Sequence, residues 1–191
     1  MRSPMMNSLN TYLSEKNLTY DGTQLSPHWI YKNFELLGDS VISFVGPADV
    51  PTNHMVDLVD VKKDAPIYGP LMLHFIGEWF LDSLDYGILL QHLFACEIYE
   101  LLWERGIQGL SRNGNDIFVK SRKLSVSIAT RSPVSLLMHT GLNIRTENTP
   151  LPTSGLEELD IEPLDFSRSV LNRFRDAWEN WHLARVKVCA R

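Results

Sequence analysis

Apolar residues in this chain fall into short β-like runs and longer helical stripes, separated by proline, glycine and asparagine. Ser40–Val45 and Met55–Val61 are short and rich in Val, Ile and Phe, which predicts two strands. Leu71–Leu81 follows Pro70 and reads as a helix, because a proline in the first turn loses no hydrogen bond. A second helix is predicted from Asp85, as its cap, to about Arg105, with Gly106 as the stop. Along it Ile88, His92, Cys96, Tyr99 and Trp103 recur at helical spacing. Asp116–Val119, Lys123–Thr130 and Val134–Ile144 read as three more extended segments, with turn residues between them. A last helix starts at Asp165, with Val170, Phe174, Trp178 and Trp181 as its apolar stripe. Strands, two helices, more strands and a closing helix predict an α+β fold. Its mostly antiparallel sheet is flanked by helices, in one domain over residues 1–191.

Composition narrows the functional classes. With 44% hydrophobic and 21% charged residues, the chain of 191 residues can bury a core without disulfides or metals. A formal charge of −5, with no basic cluster beyond scattered C-terminal arginines, argues against a nucleic-acid groove. Cys96 and Cys189 form neither a C-x-x-C pair nor a disulfide framework, so a reducing compartment is expected. The N-terminal residues lack an apolar signal core, and the run Leu71–Phe80 is too short to cross a bilayer. A cytoplasmic protein with no membrane partner is the expectation.

Chemistry concentrates in two neighbouring segments. Lys123 opens the run Lys123-Leu124-Ser125-Val126-Ser127-Ile128, and His139-Thr140-Gly141-Leu142-Asn143-Ile144 closes the next one. A cation, an imidazole and an amide on adjacent strands would suit an anionic or carboxylate-bearing ligand. Each has a plainer reading: a solvated lysine, a hydrogen-bonded buried histidine, an asparagine at a strand end. Gly141 marks close backbone approach or a bulge.

These residues resemble the biotin/lipoate protein ligase and lipoyl octanoyltransferase superfamily, in a prokaryotic branch. Asp116-Ile117-Phe118 and Lys123-Leu124-Ser125 are similar to its Asp-Ile/Leu strand and its lysine strand. Gly141-Leu142-Asn143-Ile144 is similar to the Gly-Ile-Asn-Val of biotin ligases, and His139 stands near the His-Gly position of octanoyltransferases. The resemblance implies a class II synthetase-like fold and acyl transfer or adenylation of a small carboxylic acid, with ATP as cofactor if the acid is adenylated. It implies Lys123 as the anion-stabilising cation, with His139 and Asn143 orienting the reacting group. Ser154 occupies the acyl-acceptor position, in Ser154-Gly155-Leu156 where octanoyltransferases have Cys-Gly-Leu. Asp116, Gly141, His74 and Gln24 complete the expected ligand-binding set.

The departures fall on catalytic parts. The stretch Val61–Pro66 has lysines but lacks the Arg and Gly of the ligase loop, and Val126 replaces a glycine beside the lysine. Serine also needs a neighbouring base where a cysteine does not. A non-catalytic ligand-binding or interaction protein with a degenerate pocket therefore stays open. So does a metal-dependent hydrolase built on His54, His74, His92 or Cys96. Exposed sheet edges leave a homodimer open as well.

Overall fold

The computed structural model describes residues 8–63, 67–147 and 152–189. A five-stranded sheet is its centre. β1 (Asn10–Leu13) lies parallel to β2 (Ser40–Val50), which pairs antiparallel with β3 (Ile67–Trp79). Next come β8 (Leu136–Arg145) and β7 (Ser125–Arg131), both antiparallel to their neighbours, in the order β1-β2-β3-β8-β7. A smaller antiparallel sheet holds β4 (Leu110–Asn113), β5 (Asp116–Val119) and β6 (Arg122–Lys123). It is stitched to the large one where Ser125 Oγ accepts from Ile117 N, at 2.9 Å. The α+β class and the mostly antiparallel sheet agree with the sequence reading.

Two helices cover one face. α3 (Leu84–Glu104) packs on β7 and β8, and α4 (Pro163–Val186) on β1 and β2. Alternate strand residues such as Val41, Leu73, Phe75, Met138 and Leu142 meet Phe94, Ile98, Phe174 and Trp178 in one buried cluster. The opposite face carries Ile42, Phe44, Met72 and Ile76, covered by Tyr20, by Ile30 of α1 (Trp29–Phe34), and by the chain leading to α2 (Leu58–Lys62). His139, His74 and Gly141 belong to this second face, because strand side chains alternate.

Two expected elements are corrected. Leu71–Leu81 is no helix but most of the central strand β3. That strand is buried on both faces, so it lacks polar alternation and looks uniformly apolar. Pro70 lies where the pairing slips, opposite the irregularity between Gly46 and Ala48, so its missing N–H breaks no ladder bond. Met55–Val61 is no strand either. Asp57 caps α2 by accepting from Val59 N at 2.8 Å and Asp60 N at 3.3 Å, which outweighs the β-preference of the valines.

Two smaller corrections concern the helices. α3 buries Gly87, Leu90, Phe94, Ile98 and Leu102, while the stripe read from sequence lies at the margin of that face: His92, Cys96 and Tyr99 are half-buried, and Ile88 and Trp103 are exposed, Trp103 at 68%. The cap of α3 is Ser83, with Asp85 in the first turn, and the cap of α4 is Glu162, whose carboxylate accepts from Asp165 N. No described helix is long and apolar enough to cross a membrane.

Candidate functional site

A cavity of about 210 Å³ opens on the second face of the sheet. Tyr20, His54, Asp57, Asp60, Asn115, Asp116, Lys123, Val126, Ile128 and His139 line it, together with Ser127 and apolar neighbours. Lys123 and His139 thus come from β6 and β8 to one shared space. Lys123 arrives there on a hairpin. Phe118 pairs with Lys123 and Val119 with Arg122, so Lys120 and Ser121 alone form the turn between β5 and β6. Both have left-handed backbones, φ 49° and 64°, the geometry of a tight hairpin turn usually built from Asn and Gly.

Charge in the cavity is uneven. Lys123 Nζ donates to Asp116 Oδ2 at 2.9 Å, and both side chains are about a third exposed. Asp57 and Asp60 add two more carboxylates, the first held by its cap bonds to α2. Among the described residues no arginine lines the cavity.

Behind the lining stands a second set of sequence-predicted residues. Asn143 Nδ2 donates to the carbonyls of Lys123 (3.2 Å) and Ser154 (3.3 Å), fixing the backbone that carries the lysine. Gln24 accepts from Asp21 N and donates to the Thr19 carbonyl, clamping the chain on both sides of Tyr20. Gly141 is covered by Met72 and His139: an added Cβ would lie 2.9 Å from Met72 Cε and 3.3 Å from His139 Cε1. Its space is therefore filled by side chains of the protein. Asn143, Gln24, Gly141 and His74 support the cavity and are not among its lining residues.

His74 and His139 form a buried pair, Nδ1 of the first 3.1 Å from Nε2 of the second. A carbonyl only accepts, so the 3.1 Å contact between His74 Nε2 and the Gly46 carbonyl requires the His74 proton on Nε2. Burial pushes the pKa of His74 down to about 4, so the ring is neutral and Nδ1 keeps a lone pair. His139 Nε2 must then donate to it. Burial, with His74 next, also holds His139 well below the ordinary histidine range. Nδ1 of His139 is thereby left as an unprotonated acceptor. Tyr20 stacks on this imidazole, ring centroids 3.6 Å apart and planes within 12°. Burial raises the Tyr20 phenol, which stays protonated.

The other predicted residues lie apart. Ser154 is buried, its hydroxyl donates to Glu158, and it is not among the lining residues. His54 lines the cavity with Nδ1 donating to the Asp21 carbonyl, whereas His92 and Cys96 ride on α3 across the sheet. Among the described residues no group of three or more His, Cys, Asp or Glu is placed to hold a metal ion. Residues 64–66, the end of the stretch compared with the ligase loop, lie outside the described residues. Sequence reading passed over Asp57 and Asp60; the carboxylate pair bracketing Leu58-Val59 was the available capping signal.

Known proteins agree with this architecture. A protein of unknown function from Pyrococcus horikoshi superposes at TM-score 0.92 with 38% identity, over 96% of this chain and 100% of that one. An uncharacterized protein of Methanocaldococcus jannaschii is 33% identical over 155 residues, 78% of this chain and 69% of its own length. Biotin protein ligase from Aquifex aeolicus in complex with biotin and ATP aligns at TM-score 0.58, 17% identity, over 90% of this chain and 71% of the ligase. Lipoate-protein ligase A bound with ATP gives 0.52, 17% identity, over 89% and 86% of the two chains. At such identities these two likenesses show the fold: it is that of the biotin/lipoate ligases, class II synthetase-like, as the sequence motifs implied. A family model described as a domain of unknown function, DUF366, matches residues 9–189, and the chain belongs to that family.

Proposed function

We propose that the cavity binds a small carboxylic acid or its activated ester. The observation that carries this reading is the convergence of the Lys123 ammonium and the His139 imidazole on one small space. An ammonium has three N–H donors, and Asp116 uses one, so an incoming carboxylate can share Nζ without displacing the aspartate. Lys123 would also stabilise negative charge developing on an acyl oxygen during transfer. The volume is below the roughly 300 Å³ at which drug-sized ligand sites begin, which favours a small acid.

Binding of an acid stands ahead of ATP-dependent adenylation in this reading. The ligases named above were solved with ATP, and biotin accompanies it in one of them. Their likeness supports nucleotide use by fold analogy alone. Among the described residues the lining offers one lysine, no arginine and three carboxylates, a poor cradle for a triphosphate. Ser154, with its hydroxyl engaged by Glu158, takes no part in the binding step. We place the protein in the cytoplasm, where free acids and ATP meet.

Incubation with biotin, lipoate or octanoate, each with and without Mg-ATP, tests the proposal. An acid that binds at a hundredfold excess over its Kd should add about 2.7 kcal/mol to the unfolding free energy. Pyrophosphate release would move adenylation to first place, and stabilisation without turnover would favour a binding protein. If neither appears with any of the three, the acid reading fails.

A further inference from the structure

The stacked pair Tyr20 and His139 holds two polar atoms that nothing described so far uses. His139 Nε2 is taken by His74, and no described hydrogen bond reaches Nδ1. The same holds for the Tyr20 hydroxyl, and neither atom is among the polar atoms sealed from solvent without a partner. Both residues are nearly fully buried and line the cavity. The two rings stack 3.6 Å apart in near-parallel planes, so the two residues form one wall of the cavity.

Resting on the acid-binding reading, we infer that the ligand's other end is an uncharged amide-type group. Its N–H donates to His139 Nδ1 and its adjacent C=O accepts from the Tyr20 hydroxyl. The relay Gly46 carbonyl, His74, His139 fixes a lone pair at Nδ1, so this wall accepts there and cannot donate. A carboxylate at this end would meet that lone pair with its own. A methyl group would leave a buried acceptor without a partner, which costs more than a hydrogen bond contributes. Sites that hydrogen-bond a substrate N–H or O–H discriminate against analogues lacking it far more strongly than apolar pockets sort methylene groups.

Matched probes test this by calorimetry on the intact protein. They are the monoamide of adipic acid, the methyl ketone in which its NH2 is replaced by CH3, and the corresponding ω-amino acid. The monoamide should bind about tenfold or more tightly than the ketone, and better than the amine. His139→Phe should abolish the preference, whereas Tyr20→Phe should weaken monoamide and ketone alike. Nitrogen NMR of the wild-type protein provides a check independent of variant folding: both imidazoles should be protonated on Nε2. Equal affinities, a preference for the amine, no binding of the monoamide at millimolar concentration, or a proton on His139 Nδ1 would each overturn the inference. The two readings fail separately. If Lys123→Met weakens all probes but the monoamide has no advantage, only the amide end is wrong. If the advantage persists and Lys123→Met changes nothing, the acid end is wrong.

Discussion

Acidification should unfold this protein through its buried histidine pair. In the unfolded chain a histidine takes up its proton near pH 6.5, whereas His74 in the folded state does so only near pH 4. Between those values the unfolded state binds more protons, so stability is fully present above about pH 6.5 and falls as the pH drops towards 4. The displacement corresponds to about 3 kcal/mol from His74, with a limiting slope of about 1.4 kcal/mol per pH unit. His139, also held down by burial and by its neighbour, adds loss of the same sign. Asp39, pushed up by burial, contributes in the opposite sense. Urea unfolding at half-unit steps from pH 7.5 to 4.5 measures the slope. His74→Gln can keep both hydrogen bonds, an amide N–H to Gly46 and an oxygen to His139, while removing one titrating group. It should flatten the slope by about half. A wild-type profile flat between pH 7 and 5, or a variant with unchanged slope, would refute the argument.

Three further outcomes concern the frame around the cavity. Ser121→Gly relieves a left-handed residue in the turn ahead of Lys123, and should stabilise by about 0.5–1 kcal/mol in thermal unfolding. Gly46→Ala drives a methyl into the Leu18 carbonyl and disturbs the oxygen that anchors His74. It should cost about 3 kcal/mol or more in urea unfolding. Asp57→Ala removes the cap of α2 at about 1 kcal/mol, seen as faster hydrogen exchange at Val59 and Asp60 with the sheet unaffected.

How far the sequence could be read differs between elements. β8 and the long helix α4 were legible, because Phe174 and Trp178 repeat at a helical period and are buried as that period demands. β3 was not, since burial on two faces erases the alternation that marks a strand. α2 was missed because its start is set by one carboxylate accepting from two backbone amides, a geometric event hidden among valines. Lys123, Asp116 and His139, singled out from motif and position, line the candidate cavity. The roles of His74, Asn143 and Gln24 depend on contacts across 65, 20 and 5 residues, which no local pattern reports. Tyr20 carries no local signal of its place in the site, since its partner ring is brought to it by the β2–β3–β8 pairing.

The most direct measurement of the central claim is the affinity of one stabilising acid for wild-type protein and for Lys123→Met, paired with that of its uncharged methyl ester. Loss of a charge-assisted contact predicts a drop of about tenfold or more for the acid and little change for the ester. Equal affinity of both proteins for the acid would contradict the account.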